Sequence, residues 1–167
     1  MNIQYSIQTS PNQKELHTFF ETVFNEIADG GAFTEDQDQS LDQWFSVDEM
    51  CTYLPHGQLI EARNDERIVG AIFIAKQHPI SWPDGHKMEI FILGVHPEYR
   101  GHGIAKELVK RAEEYAALAG AKKILINTHI LQEQVQQMYE QMSYERVGVL
   151  KDYYDNGDAV FFAKNIR

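Results

Sequence analysis

The sequence predicts a mixed α/β domain built around one core, and three observations lead to that reading. Strand-like and helix-like segments follow one another in the order β-α-α-β-β-β-α-β-α-β-β. A chain of 167 residues is long enough for one domain with a real core and short for two, so residues 1–167 read as a single domain. Hydrophobic residues make up 43% and charged residues 24%, the profile of an ordinary globular protein.

Each element has its own signal. Residues 2–7 alternate and are followed by Thr9-Ser10-Pro11, which marks a strand and then a helix start, with Ser10 as N-cap and Pro11 at the first helical position. Over residues 14–27, Leu16, Phe19, Phe20, Val23, Phe24 and Ile27 recur at helical spacing. A second helix covers roughly residues 40–54. Strands at 58–63 and 67–76 are joined by a turn containing Asn64 and Asp65. Trp82-Pro83-Asp84-Gly85 is turn chemistry, and it introduces the most apolar run of the chain, residues 88–95, read as a central strand closed by Pro97. A helix over 105–119 has Ile104, Leu108 and Val109 on its apolar side and Gly120 as its C-cap. A strand at 124–128, a helix at 132–142 and two strands at 144–150 and 159–164 complete the order.

Charge is unevenly placed. Between Glu15 and Glu61 there are 11 acidic residues and no Lys or Arg, leaving 14 acidic and 15 basic residues elsewhere, so this one segment holds essentially all of the net −10. It reads as a solvated helical face or as an acidic rim that attracts a cationic substrate such as an amine. Nucleic-acid binding is disfavoured, because the electrostatic contribution would be repulsive. No stretch reaches membrane-span length and the N-terminal residues have no apolar core flanked by basic residues, so a cytoplasmic protein without membrane association is expected. Cys51 is the only cysteine, which rules out an intrachain disulfide and a cysteine-based metal site; it reads as a small buried hydrophobe. His78, His86, His96 and His102 are scattered among loops and do not form a metal-type ligand set.

The chemically informative segment is Gly94-Val95-His96-Pro97-Glu98-Tyr99-Arg100-Gly101-His102-Gly103-Ile104-Ala105, between the apolar strand and the long helix. Two glycines let the backbone turn tightly and let a ligand approach its amides. The first helical turn offers unpaired N–H donors and the positive end of the dipole, an anion site suited to a pyrophosphate, with Arg100 beside it. It is neither a Walker A loop, lacking Gly-Lys-Ser/Thr, nor a dinucleotide fingerprint, lacking G-x-G-x-x-G. The alternative is a glycine-rich helix start that binds nothing.

Arg100, Gly103 and Ala105 match the Q/R-x-x-G-x-G/A signature of the GNAT acetyltransferases, and Met138-Tyr139-Glu140-Gln141-Met142-Ser143-Tyr144 resembles that family's Leu-Tyr-Glu-x-x-Gly-Phe landmark. The resemblance covers about residues 58–164. It implies a central, mostly antiparallel twisted sheet of about seven strands flanked by about four helices and splayed at the strand that meets acetyl-CoA. It also implies roles. Main-chain groups of Leu93 and Val95 would pair with the pantetheine arm, and the Val95 amide would face the thioester carbonyl, a donor that strengthens as an oxyanion develops. Amides of Gly101, His102, Gly103, Ile104 and Ala105, with Arg100 and Lys106 close by, would hold the pyrophosphate. Tyr139 would stand near the thioester sulfur as general acid or hydrogen-bond donor to the leaving thiolate. Two positions depart from the pattern: Gln132 replaces a cofactor-contacting Asn, and Ser143-Tyr144 replaces Gly-Phe.

Attack on a thioester needs a neutral amine. At neutral pH this costs roughly 4–5 kcal/mol for a free Lys side chain and about 1 kcal/mol for an α-amine. Glu89, six residues before Val95, resembles the catalytic glutamate of histone-type members, and strand alternation would place it on one side with Phe91, Leu93 and Val95. The base position of ribosomal-protein members falls on Asn127, which cannot serve; His129 is a nearby alternative. Tyr153-Tyr154 with Asp158-Ala159 is similar to the ending of N-terminal acetyltransferases, where tyrosines border the peptide site. The resulting expectation is acetyl transfer from acetyl-CoA to a small cationic amine or a peptide amine by direct attack in a ternary complex, with no metal. The rival expectations are a non-catalytic acyl-CoA sensor of the same fold and a nucleotide-binding regulatory domain. The sequence is compatible with a homodimer and does not fix the oligomeric state.

Overall fold

A computed structural model describes residues 1–27, 46–76, 86–154 and 157–166. Its elements are β1 (Ile3–Gln8), α1 (Gln13–Ile27), α2 (Val47–Thr52), β2 (Gly57–Asn64), β3 (Arg67–Lys76), β4 (Lys87–Val95), α3 (Ile104–Leu118), β5 (Lys123–His129), α4 (Glu133–Gln141), β6 (Glu145–Tyr154) and β7 (Gly157–Asn165). The seven strands form one sheet in the order β1-β2-β3-β4-β5-β7-β6. Every neighbouring pair is antiparallel except β4 and β5, which are parallel and joined by the α3 crossover. The mixed α/β architecture with seven strands and four helices is the one the sequence predicts.

Each face of the sheet has its own core. The apolar stripe of α1 buries Leu16, Phe19, Phe20 and Val23 with α2's Val47 and Met50 against Leu59, Ala71, Phe73 and Ile92. On the other face Ile104, Leu108, Val109 and Ala112 of α3 pack with Tyr139 of α4 on Ile60, Ile72, Ile90, Ile126 and Phe162. Cys51 is half-buried against the first core, where burial pushes its thiol up. Gly70 lets α3 approach β3. A Cβ built there would lie 2.9 Å from Ile104 Cγ2 and 3.0 Å from Leu108 Cδ1. Gly70→Ala is therefore expected to lower the melting temperature by several degrees, an overpacking cost of about 1–3 kcal/mol. Because Ile104 opens α3, the same change should also weaken CoA binding, which calorimetry would read; an unchanged melting temperature would refute the packing account.

Several boundaries differ from the sequence reading. Helix α1 is capped by Asn12, whose side-chain oxygen accepts the Glu15 N–H at 3.2 Å, and not by Ser10. Helix α2 is a short piece capped by Ser46 and followed by a 3-10 turn at Leu54–His56; the predicted residues 40–45 and the turn at Trp82–Gly85 lie outside the described residues. Strand β6 runs on to Tyr154 and β7 starts at Gly157, because their pairing continues beyond an irregularity between Leu150 and Tyr154. Asp152 takes φ +52° there. Two of the acidic residues are spent internally: Arg63 bonds both Glu15 oxygens at 3.0 and 2.9 Å and Glu61 at 2.9 Å, tying α1 to β2. Burial pushes the Glu61 carboxyl up despite that partner. Among the described residues no helix is long and apolar enough to cross a membrane.

Candidate active site

Strands β4 and β5 part company early. They pair only at Lys87–Lys123, Met88–Ile124 and Glu89–Leu125, although β4 runs on to Val95 and β5 to His129. The unpaired lengths open a gap in the middle of the sheet. Its β4 wall has a defined hydrogen-bonding edge. The His96 N–H bonds Val69 O at 2.9 Å, and antiparallel pairs alternate between bonded and non-bonded. Counting back, Val95 opposite Gly70 and Leu93 opposite Ile72 are non-bonded pairs, so their N–H and C=O groups turn away from β3 toward the gap. The splay and the main-chain groups of Leu93 and Val95 thus lie along one edge.

At the end of that edge the chain makes its phosphate-type turn. A 3-10 turn at Pro97–Tyr99 starts with His96, buried, whose Nδ1 accepts the Glu98 N–H and whose Nε2 meets Arg67. Gly101 and Gly103 follow with φ +78° and +80°, the left-handed region in which glycine avoids steric cost. A Cβ at either would find no atom within 4 Å, so the turn is open on its outer side. Gly103 is the N-cap of α3, and the first α3 amide bonded within the helix is Glu107 N, to Gly103 O at 3.1 Å. The amides of Ile104, Ala105 and Lys106 thus belong to the unsatisfied first turn at the positive end of the dipole. His102 Nδ1 braces the turn against Arg100 O at 2.9 Å. Lys106 is exposed and donates to Gln141 Oε1 at 2.8 Å, bridging α3 and α4.

Arg100 corrects the sequence reading. Its side chain folds back, donating from Nε to Val95 O at 3.2 Å and from Nη2 to Val23 O at 3.5 Å. It therefore tethers the end of β4 to α1, and the Val95 carbonyl is already engaged; the Val95 amide and both Leu93 groups are what the β4 edge offers.

Glu89 needs a second correction. The β3–β4 register slips between Phe73 and Ile74: Phe73 faces Ile92 and Ile74 faces Ile90, leaving Phe91 as the extra residue of a β-bulge. A bulge reverses the alternation beyond it. Met88, Ile90, Leu93 and Val95 consequently side with the α3 core, while Ile92 sides with α1. Glu89, opposite Ala75, lies on the α1 face, so it shares a side with Phe91 but not with Leu93 or Val95.

Tyr139 comes from the other face. It is 2% exposed, with its ring 5.6 Å from Tyr144 and 5.8 Å from Phe162. Burial, with a contribution from nearby Tyr154, holds its hydroxyl far above the usual tyrosine range, so it is protonated at neutral pH. Gln132 precedes α4 as its N-cap, and its Oε1 accepts from Thr128 Oγ1, which leaves the amide NH₂ as the end able to reach outward.

On the α1 side of β5, the Tyr154 hydroxyl donates to Asn127 Oδ1 at 2.5 Å and its ring lies 5.4 Å from that of His129. His129 is not an exposed loop residue: it is 2% exposed, ends β5, and accepts the Leu131 N–H on Nδ1 at 3.1 Å. A Cβ on Gly157 would come within 2.8 Å of His129 Nε2, which shows how closely the start of β7 lies against it. Its buried position suits a support for Tyr154 better than a base open to substrate. The residues Asn127 and Tyr154 thus meet at the gap through a contact that spacing alone does not reveal. No group of three or more metal-ligating side chains occurs among the described residues.

Comparison with known proteins agrees with this geometry. The family model described as Acetyltransferase (GNAT) family matches residues 15–144. The fold is similar to that of an acetyltransferase of the GNAT family from Streptococcus pneumoniae, with a TM-score of 0.78 at 16% identity over 99% of this chain and 100% of that one. An aminoglycoside 6'-acetyltransferase of type Ii superposes with a TM-score of 0.72 at 24% identity over 100% and 98% of the two chains. A chain of the NatC complex bound to Gag peptide and CoA gives 0.71 at 18% identity over 100% of both. At these identities the likeness speaks for the fold.

Proposed function

The chain belongs to the GNAT acetyltransferase family, which uses acetyl-CoA, and on that footing we propose that it transfers an acetyl group to a primary amine by direct attack in a ternary complex. The observation that carries this reading is the gap between β4 and β5: it is lined by outward-turned main-chain groups and leads to the unsatisfied amides of α3. An extended arm that alternates amide donors and acceptors can pair with Leu93 and the Val95 amide, and a pyrophosphate can take the turn from Gly101 to Ala105, with Lys106 adding charge. The Gln132 amide is available to the same arm. Bound there, acetyl-CoA supplies an activated acyl group as a thioester.

The two faces of the sheet then divide the work. Tyr139, protonated and coming from the α4 side, is the donor to a departing thiolate. Glu89 is on the opposite face, the last β4 residue paired with β5, where it can take the proton released by an attacking amine. The bulge at Phe91 makes this division possible, because an unbroken strand would put Glu89 on the same side as Leu93 and Val95. Incubation with acetyl-CoA and a panel of polyamines, aminoglycosides, amino acids and peptides, with free thiol as the readout, should show amine-dependent release. Absence of turnover together with absence of CoA binding by calorimetry would overturn the reading.

A further inference from the structure

Strand β6 is the free edge of the sheet beyond β7, and nine of its ten residues are exposed. The opposite edge is finished: Ile3 and Tyr5 of β1 pack against the α3 core and alternate with Gln4 and Ser6. On β6 the apolar residues Val147, Val149 and Leu150 are 58%, 44% and 51% exposed. They occupy both faces, since Val149 stands opposite Val160 on the α3 side and Leu150 opposite Ala159 on the α1 side. A long edge that carries apolar side chains in water is a template for a further strand.

Backbone pairing orients that edge. The Ile130 N–H bonds Asp158 O at 2.9 Å, so Thr128–Val160 is a bonded pair while Asn127–Phe161 and His129–Ala159 are not. Phe161 and Ala159 therefore turn their N–H and C=O groups to β6, where they meet Gly148 and Leu150. Val149, between those two, directs both of its groups away from β7. Gly148–Leu150 is also the regular stretch of β6, since the ladder is irregular between Arg146 and Gly148 and between Leu150 and Tyr154. A two-fold axis perpendicular to a sheet can pass only through an opposed pair, because bonded and non-bonded pairs alternate along the ladder. Centred on the regular stretch, such an axis sets Val149 against its own copy, with two N–H···O=C bonds between them. Leu150 then faces the partner's Gly148, around which a Cβ would find no atom within 4 Å, and Arg146 stands level with the partner's Asp152. The neighbouring register, which would set Arg146 against Lys151 and Glu145 against Asp152, is closed to a two-fold. We propose that β6 pairs antiparallel with β6 of a second copy of this chain about an axis at Val149, joining two sheets into one.

Analytical ultracentrifugation across about 1–100 μM protein tests this, because a contact made by one strand edge is small and should dissociate at the order of 10 μM. Val149→Pro removes an N–H that bonds nothing within one copy, and edge positions of that kind accept proline. Val149→Lys sets like charges across the axis. Each is expected to weaken self-association about tenfold or more, with the circular dichroism spectrum and the melting temperature of dilute protein close to the parent's. Val149→Thr, β-branched and with its N–H intact, should still dimerise. If the proline variant melts early, the lysine variant decides. A parent that stays monomeric up to about 100 μM would overturn the proposal, and so would a dimer that persists in Val149→Lys.

Discussion

Tyr139→Phe is expected to lower kcat by about 100-fold or more while CoA affinity and melting temperature stay close to those of the parent. The ring is buried in the core beside Tyr144 and Phe162, and phenylalanine keeps those contacts. What is removed is one hydroxyl, and the loss should therefore fall on the step that protonates the thiolate. Burial raises the hydroxyl above the ordinary tyrosine range, which keeps it protonated and able to hydrogen-bond a thiolate while making it a weaker acid. The parent's rate should show no alkaline loss that traces to Tyr139 below about pH 10, the ordinary tyrosine value that this residue exceeds. Single-turnover measurement of thiol release at saturating amine separates the chemical step from product release. A variant that matches the parent in that measurement would reduce Tyr139 to a packing residue.

The order of elements and the turn at the head of α3 were legible because both are local. Periodicity in α1 and α3, the proline that closes β4 and the two glycines of the turn act over a few residues, and spacing reports such signals directly. The face occupied by Glu89 was not legible in this way. A bulge is decided by which β3 residues face β4, and nothing in residues 88–95 distinguishes Phe91 as the extra one. Arg100 shows the same limit, since the carbonyl of Val23 that it reaches is 77 positions away in the chain. The Tyr154–Asn127 bond spans 27 residues and depends on β7 lying between β5 and β6. The burial of His129 is likewise a long-range matter, since Gly157 at the start of β7 lies close against its ring. The consequence for function is specific: local sequence identified the part that would hold the donor, and long-range pairing assembles the face where an acceptor would sit.

Gly103→Glu is expected to abolish measurable CoA binding, a loss of at least about 100-fold in Kd, and its controls separate charge from strain. Two effects act together at this position. With φ at +80°, any L side chain is strained by about 1–2 kcal/mol. The open space around a built Cβ means there is no steric clash to add. The glutamate carboxylate would stand at the N-terminus of α3, where the helix dipole and the free amides of Ile104 and Ala105 would attract it. It would thus occupy the anion position itself and repel a pyrophosphate brought to the same place. Gly103→Ala carries the strain without the charge and should weaken binding by about tenfold or less. Gly103→Asn, a residue more tolerant of left-handed backbone, should weaken it less still. Because the turn is exposed and lies outside both cores, all three variants should keep melting temperatures within a few degrees of the parent. Calorimetry with CoA orders the outcomes: a Glu variant far weaker than the Ala variant locates the pyrophosphate at this turn. Equal affinities for the two would mean that only backbone strain matters there, and the phosphates would then have to be sought elsewhere on the surface.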